Sequence, residues 1–195
     1  MQQLGVKIEE KGKKIIVHGV GLNGLKAPAT LLDCGNAGTA MRLLAGLLAA
    51  QKFTTTLVGD ESLTIRPMGR VINPLSSMGA QIESNDQKAP LTFLPVEKIT
   101  AIDYLSPIAS AQVKSAVLIA GLYADGVTSV TEPNKSRDHT ETMLQGFGCD
   151  VSVDGLTVKV KGQPTMTGQT IEVPADVSSA AFFMVLGLRM KGKEK

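Results

Sequence analysis

Residues 38–82 read GTAMRLLAGLLAAQKFTTTLVGDESLTIRPMGRVINPLSSMGAQI, and residues 110–153 read SAQVKSAVLIAGLYADGVTSVTEPNKSRDHTETMLQGFGCDVSV. Both stretches have the same order of features: a small polar turn, an apolar helix with a cation one turn in, a β-rich strand and an acidic turn. Each then continues with an arginine, a second helix that ends at glycine, and another strand. The chain therefore contains an internal repeat, and this repeat decides the fold.

The repeated unit is a β-α-β-α-β-β module of about 70 residues. Partial copies flank the two complete ones, because residues 4–9 (LGVKIE) resemble the end of a unit and a new unit begins at Asp176. Alternating strands and helices predict an α/β (α+β) fold whose apolar helices are buried.

Composition excludes several classes of protein. The 195 residues are 43% hydrophobic and 19% charged, which excludes a disordered chain. A net charge of +2, scattered Lys and Arg, and 4% aromatics predict no nucleic-acid partner. No apolar run approaches the ~18 residues of a membrane span, so no membrane partner is expected.

Cofactor and metal sites are not expected either. Cys34 and Cys149 stand outside any zinc-ligand spacing, which predicts no metal site and fits a reduced, cytoplasmic protein. Glycine-rich phosphate-binding signatures are absent from the sequence, so no nucleotide cofactor is predicted.

The starts of two predicted helices have the character of anion sites. Residues 36–39 (NAGT) precede a predicted helix over 40–50, and residues 110–112 (SAQ) precede one over 113–122. Free backbone N–H groups and the helix dipole favour an anion at such a position. The alternative is an ordinary N-cap, which every helix needs.

Two arginines strengthen the anion hypothesis. Arg66 and Arg137 occupy nearly matching positions of the repeat, each at the predicted start of a helix. A cation there opposes the helix dipole by roughly 0.3–1 kcal/mol, so two of them suggest that an anionic ligand binds nearby. The alternative for Arg137 is a surface ion pair with Asp138 or Glu141.

Other charged residues receive structural interpretations. Arg42 and Lys114 lie one turn inside apolar helices, where a buried cation needs a partner, and we interpret both as structural. Asp60 and Glu61 are interpreted as loop acids.

Five motifs, in this order along the chain, resemble the N-terminal half of the EPSP synthase family, and most closely its bacterial class II branch. The resemblance extends over nearly the whole sequence, and the motifs that carry it are LDCGNAGTAMRLLAGLLA (32–49), GDESLTIRPMGRVINPLSSMGAQI (59–82), PIASAQVKSAVLIAGL (107–122), SRDHTETMLQGFG (136–148) and VPADVSSAAF (173–182).

The resemblance implies one domain of the two-domain enolpyruvyl transferase fold, whose helix N-termini face an interdomain cleft. It implies transfer of the carboxyvinyl group of phosphoenolpyruvate to the 5-hydroxyl of shikimate 3-phosphate, which yields EPSP and phosphate on the route to chorismate and the aromatic amino acids. By resemblance, shikimate 3-phosphate is held by Ser110, Ala111, Gln112 and Arg137, and phosphoenolpyruvate by Gly38, Arg66 and Gln112, with Asn36 and Thr39 as possible neighbours.

The resemblance also predicts the domain organisation. Residues 1–174 are expected to form most of the N-terminal domain without the start of its first unit, and residues 175–195 to cross into a C-terminal domain and begin its first helix. The family's catalytic Asp and Glu belong to that second domain, so no catalytic residue is expected in this chain, which alone should show no appreciable turnover. The alternatives are a stand-alone phosphometabolite-binding module and a UDP-N-acetylglucosamine enolpyruvyl transferase-like domain.

Overall fold

The computed structural model describes residues 1–174, 180–181 and 183–186. After a short 3₁₀ turn (Gln2–Leu4) comes a hairpin of β1 (Lys7–Lys11) and β2 (Lys14–His18). The first complete unit comprises β3 (Leu32–Asp33), α1 (Gly38–Leu48), β4 (Thr55–Val58), α2 (Glu61–Thr64), α3 (Gly69–Ser77), β5 (Gln81–Asn85) and β6 (Lys88–Leu94). The second comprises β7 (Asp103–Leu105), α4 (Ala111–Gly121), β8 (Val127–Thr131), α5 (His139–Gly146), β9 (Val151–Asp154) and β10 (Thr157–Lys161).

The two units have the same sheet topology. Their four-stranded sheets run in the orders β3-β4-β6-β5 and β7-β8-β10-β9. In each sheet the first two strands are parallel and the other neighbours are antiparallel. The predicted repeat and the predicted α/β class are both confirmed.

Helices α1 and α4 pack against each other, and both contribute residues to the hydrophobic core. Helix α4 is apolar nearly all round and buries eight of its eleven residues, as such a helix must. Gly46 of α1 makes the close approach possible, because a Cβ there would lie 2.2 Å from the carbonyl oxygen of Ala116 in α4. This crossing fixes how the N-termini of the two helices are placed.

The Gly46→Ala variant should therefore be destabilised by about 1–3 kcal/mol, the usual effect of overpacking a core. Urea unfolding followed by circular dichroism measures the change. Gly146→Ala is the matched control, since a Cβ on this helical glycine meets no atom within 4 Å. Equal stability of the two variants would contradict the close approach.

Three local predictions were wrong. Helices α1 and α4 begin at Gly38 and Ala111, so the last two residues of each small polar turn already belong to them. Asp60 and Glu61 are not plain loop acids, because Glu61 lies in α2 and Asp60 Oδ1 accepts the Leu63 N–H at 2.8 Å and caps this helix, which is too short to show periodicity. Helix α3 begins at Gly69, so Arg66 precedes it by three residues.

The predicted crossover segment, residues 175–195, lies outside the described residues except for 180–181 and 183–186. Within the described parts of the chain, no helix is long and apolar enough to cross a bilayer.

Candidate functional site

A pocket of about 570 Å³ lies between the N-terminus of α4 and the segment that leads into α5. The four residues predicted to hold shikimate 3-phosphate all line it. The described lining contains two cations and no carboxylate, which favours an anionic occupant. Its residues are Thr39, Leu43, Ala109, Ser110, Ala111, Gln112, Ser115, Lys135, Ser136, Arg137, His139 and Thr140.

The N-terminus of α4 is held in an ordered arrangement. Ser110 is the N-cap, with φ −153° and ψ 104°, and its Oγ accepts the Val113 N–H at 3.4 Å. The next N–H groups, those of Ala111 and Gln112, have no acceptor within the helix. Together with the helix dipole they form one wall suited to phosphate.

Arg137 is exposed beside this wall. In the described part of the chain its guanidinium forms no salt bridge, because Asp138 pairs with Lys135 at 3.7 Å and Glu141 with Lys114 at 2.6 Å. The alternative pairing of Arg137 with Asp138 or Glu141 is therefore not found. Its planar fork is available for a carboxylate or phosphate.

A second cationic position lies at the N-terminus of α1. A Cβ on Gly38 would lie 3.1 Å from Arg42 Nη1 and 3.3 Å from Arg66 Nη1, so two guanidinium groups converge on this glycine. Arg66 Nη2 donates to Asn36 Oδ1 at 3.1 Å, and Asn36 Nδ2 donates to Asp60 Oδ2 at 2.8 Å. The hydrogen bond from Asn36 is the largest cause that lowers the pKa of Asp60.

Arg42, on the first turns of α1, lies among other positive charges. Burial lowers the pKa of Arg42, and the positive charges of Arg66 and Arg70 lower it further. None of these three arginines forms a salt bridge with a described residue. The Asp60 carboxylate lies near Arg66, but the three guanidinium groups outnumber it, so this region is positive and favours a bound anion.

Gln112 joins the two positions. Its Oε1 accepts from Arg42 Nη1 at 2.7 Å, and its Nε2 donates to Thr39 Oγ1 at 2.7 Å. These contacts fix the amide orientation and connect the start of α4 to the start of α1. Gln112 was predicted to contact both substrates, and it lies where the two cationic positions adjoin.

Behind the pocket lies a buried cluster of charges. Lys114 Nζ contacts Glu132 Oε2 at 3.0 Å and Glu141 Oε1 at 2.6 Å, and all three side chains are less than 5% exposed. Burial tends to lower the pKa of Lys114, but hydrogen bonds to Glu141 and Glu132 outweigh it and raise that pKa. Lys114 is thus structural, as its position in an apolar helix indicated.

Sequence reasoning missed Glu132, which follows β8 with no pattern around it. Its Oε1 accepts the Ser110 N–H at 2.8 Å, and its Oε2 accepts the Ser136 hydroxyl at 2.7 Å. Burial tends to raise the pKa of Glu132, but bonds from Ser136, Lys114 and Ser110 overcome this effect and lower it. The carboxylate is therefore ionised in the folded chain.

These shifts predict how stability depends on pH. The pKa of Glu132 lies below its ordinary value of 4.5, so its contribution is present above pH 4.5 and is lost as pH falls through the folded-state pKa. The pKa of Lys114 lies above its ordinary value of 10.5, so the stability that Lys114 contributes is lost only as pH rises beyond 10.5.

Urea unfolding between about pH 3 and 7 measures the effect of Glu132. As pH falls, the free energy of unfolding should decrease less in Glu132→Gln than in Glu97→Gln, the control variant of an exposed glutamate. Identical acid profiles would contradict this assignment.

Within the described residues, no group of three or more His, Cys, Asp or Glu side chains could hold a metal ion. Cys34 and Cys149 are free, and burial raises the pKa of both thiols, with the Asp33 carboxylate adding to the rise for Cys34.

Comparison with known proteins decides the family. The family model described as EPSP synthase (3-phosphoshikimate 1-carboxyvinyltransferase) matches residues 1–194. The chain belongs to the EPSP synthase family. The resemblance stated from the five motifs is thereby confirmed, and a UDP-N-acetylglucosamine enolpyruvyl transferase-like domain is not favoured.

Curated relatives in this family include the 3-phosphoshikimate 1-carboxyvinyltransferases of Acidithiobacillus ferrooxidans and Solibacter usitatus. The former is 56% identical over 94% of this chain and 42% of its own length. The latter is 50% identical over 98% of this chain and 45% of its own length. The chain thus spans less than half the length of these members of the EPSP synthase family.

Solved structures agree with the fold. EPSP synthase from Acinetobacter baumannii matches with a TM-score of 0.88 and 50% identity, over 94% of this chain and 42% of that one. The enolpyruvyl transferase NikO from Streptomyces tendae matches with a TM-score of 0.52 and 19% identity, over 83% of this chain and 38% of that one. This likeness shows the fold alone.

Proposed function

We propose that this chain supplies the substrate-binding N-terminal part of an enzyme that transfers the carboxyvinyl group of phosphoenolpyruvate to the 5-hydroxyl of shikimate 3-phosphate. The observation that carries the proposal is the pair of adjoining cationic positions, at the starts of α1 and α4, which Gln112 joins. Both substrates are anions, and the reaction requires them to lie side by side.

Shikimate 3-phosphate is assigned to the 570 Å³ pocket. The N–H groups of Ala111 and Gln112, the Ser110 side chain and the Arg137 guanidinium are its proposed contacts. Helix N–H groups and a bidentate guanidinium are the donors that phosphate favours. Arg137, which forms no salt bridge with any described residue, is the main charged contact.

Phosphoenolpyruvate is assigned to the start of α1, beside Gly38, Arg66 and Gln112. The guanidinium groups of Arg42 and Arg66 lie near 3 Å from the position that a Cβ of residue 38 would occupy. Because Gly38 has no side chain, that space is open and the anion can approach the helix end closely. Arg42 is added to the predicted set, because it holds Gln112 and faces the same glycine. Asn36 and Thr39 act as neighbours that orient Arg66 and Gln112.

The chemistry needs groups beyond this chain. Attack of the 5-hydroxyl on C2 of phosphoenolpyruvate gives a tetrahedral intermediate that then loses phosphate, and both steps move protons. A positioned acid or base contributes typically 10²–10⁴-fold in rate. We assign those groups to a complementary C-terminal domain, which residues 175–195 are proposed to enter, and expect no appreciable turnover from this chain alone.

The free Cys34 and Cys149 support a reducing compartment such as the cytoplasm.

Calorimetry with shikimate 3-phosphate on the 195-residue chain tests the proposal. Binding is expected, and Arg137→Ala should weaken it about tenfold, as loss of a charged hydrogen bond does. Arg70→Ala removes an equal charge outside the pocket lining and should leave the affinity within about twofold. Equal weakening by both variants, or no binding to the unmodified chain, would contradict the assignment.

A further inference from the structure

One carboxylate contacts both walls of the proposed phosphate pocket from behind. Glu132, only 4% exposed, accepts the Ser110 N–H at 2.8 Å through Oε1 and the Ser136 hydroxyl at 2.7 Å through Oε2. Ser110 is the N-cap of α4, and Ser136 directly precedes Arg137. Glu132 itself is not among the residues that line the pocket.

The carboxylate is itself held in place. Lys114 of α4 contacts it at 3.0 Å and also contacts Glu141 of α5 at 2.6 Å, so the Glu132 charge has a buried partner that is itself tied to α5. Ser115 and Thr140 are hydrogen-bonded at 2.6 Å and tie the same two helices nearer the pocket. The two walls therefore share one rigid support.

We propose that Glu132 is a positioning residue for the phosphate pocket. Acting through Ser110 and Ser136, it sets the separation between the N–H groups of α4 and the Arg137 guanidinium. This role rests on the proposed function, since it concerns the geometry that shikimate 3-phosphate would meet. A phosphate held from two sides binds well only when both sets of donors are at hydrogen-bond distance together.

The three donors that converge on Glu132 require an ionised group. A backbone N–H, a hydroxyl and an ammonium all donate, and a carboxylate offers only acceptors. Glutamine in its place would retain one acceptor oxygen and present an amide N–H₂ to the remaining donors. At least one of Ser110, Ser136 and Lys114 would then lose its acceptor.

The test compares Glu132→Gln with Glu141→Gln in the 195-residue chain. Both changes are isosteric, both sites are buried, and both residues contact Lys114, but only Glu132 contacts Ser110 and Ser136. Calorimetry should show shikimate 3-phosphate bound about tenfold more weakly by Glu132→Gln and within about twofold of the original affinity by Glu141→Gln. Equal weakening by the two variants would overturn the positioning role.

Amide hydrogen exchange supplies a readout that does not depend on the ligand. Protection of the Ser110 N–H should fall in Glu132→Gln and persist in Glu141→Gln. Failure of the unmodified chain to bind shikimate 3-phosphate would contradict the proposed function, whereas unchanged Ser110 protection in Glu132→Gln would overturn the positioning role. Should Glu132→Gln not fold, Glu132→Asp keeps the charge but is one methylene shorter, and an unaltered affinity in that variant would overturn the role as well.

Discussion

The Lys114→Met variant is expected to lose about 3–5 kcal/mol of its free energy of unfolding. Methionine matches the lysine stem in size but leaves the carboxylates of Glu132 and Glu141 buried without a cation. Glu141 Oε2 already lacks a hydrogen-bond partner among the described residues, so no spare donor is at hand to compensate. Urea unfolding at neutral pH measures the loss.

Two control variants distinguish the destabilising effect of unpaired buried carboxylates from the effect of losing a lysine as such. Lys98→Met breaks an exposed pair with Asp125, at 2.5 Å and about two-thirds exposed on both sides, and should change stability by at most about 1 kcal/mol. Adding Glu132→Gln and Glu141→Gln to Lys114→Met removes the stranded charges and should restore part of the stability. A Lys114→Met variant as stable as Lys98→Met would contradict the buried cluster.

The Arg66→Ala variant is expected to weaken phosphoenolpyruvate binding by roughly 10- to 100-fold, the range for a hydrogen bond to a charged group. Arg66 lies within reach of the open space beside Gly38 and contacts Asn36, whereas the shikimate 3-phosphate pocket does not include it. The affinity for shikimate 3-phosphate should accordingly stay within about twofold. Titration of phosphoenolpyruvate into the chain saturated with shikimate 3-phosphate measures the effect.

Arg70→Ala is the matched control for Arg66→Ala. Arg70 is exposed on α3 and is near enough to lower the pKa of Arg42, so it contributes charge but no contact at Gly38. It should weaken phosphoenolpyruvate binding by no more than about threefold. An equal loss in both variants, or a parallel loss of shikimate 3-phosphate affinity in Arg66→Ala, would contradict the separation of the two positions.

The internal repeat predicted most of the fold because a repeated order of elements implies a repeated sheet. The two identical strand orders follow from it. The same reasoning identified candidate anion contacts at the N-terminal turns of α1 and α4 and at Arg66 and Arg137. A feature that recurs at matching positions of a repeat is more informative than the same feature at one residue. The helix α2 could not be found, because four residues are too few for a hydrophobic period.

The different roles of Arg42 and Lys114 lay beyond sequence reasoning. The two cations occupy matching positions, yet Lys114 is buried against two carboxylates while Arg42 donates to Gln112, 70 positions away in the chain. The residues that correspond to Glu132 and Glu141 in the first unit are Gly59, directly after β4, and Ile72, seven residues before Gly79. Without those carboxylates, Arg42 has no ion-pair partner in its own unit and donates to Gln112 of the second unit instead. Such a difference depends on which residues meet in space.

Reconstitution of activity from two parts tests whether this chain is the substrate-binding part of a carboxyvinyltransferase. The 195-residue chain would be mixed with the C-terminal part of the Acidithiobacillus ferrooxidans relative, supplied with shikimate 3-phosphate and phosphoenolpyruvate, and followed by ³¹P NMR for EPSP and released phosphate. We expect product from the mixture, a sharp decrease in its rate with Arg66→Ala or Arg137→Ala, and no product from either part alone. Full turnover by the chain alone, or a folded and assembled mixture that forms no EPSP, would contradict that role.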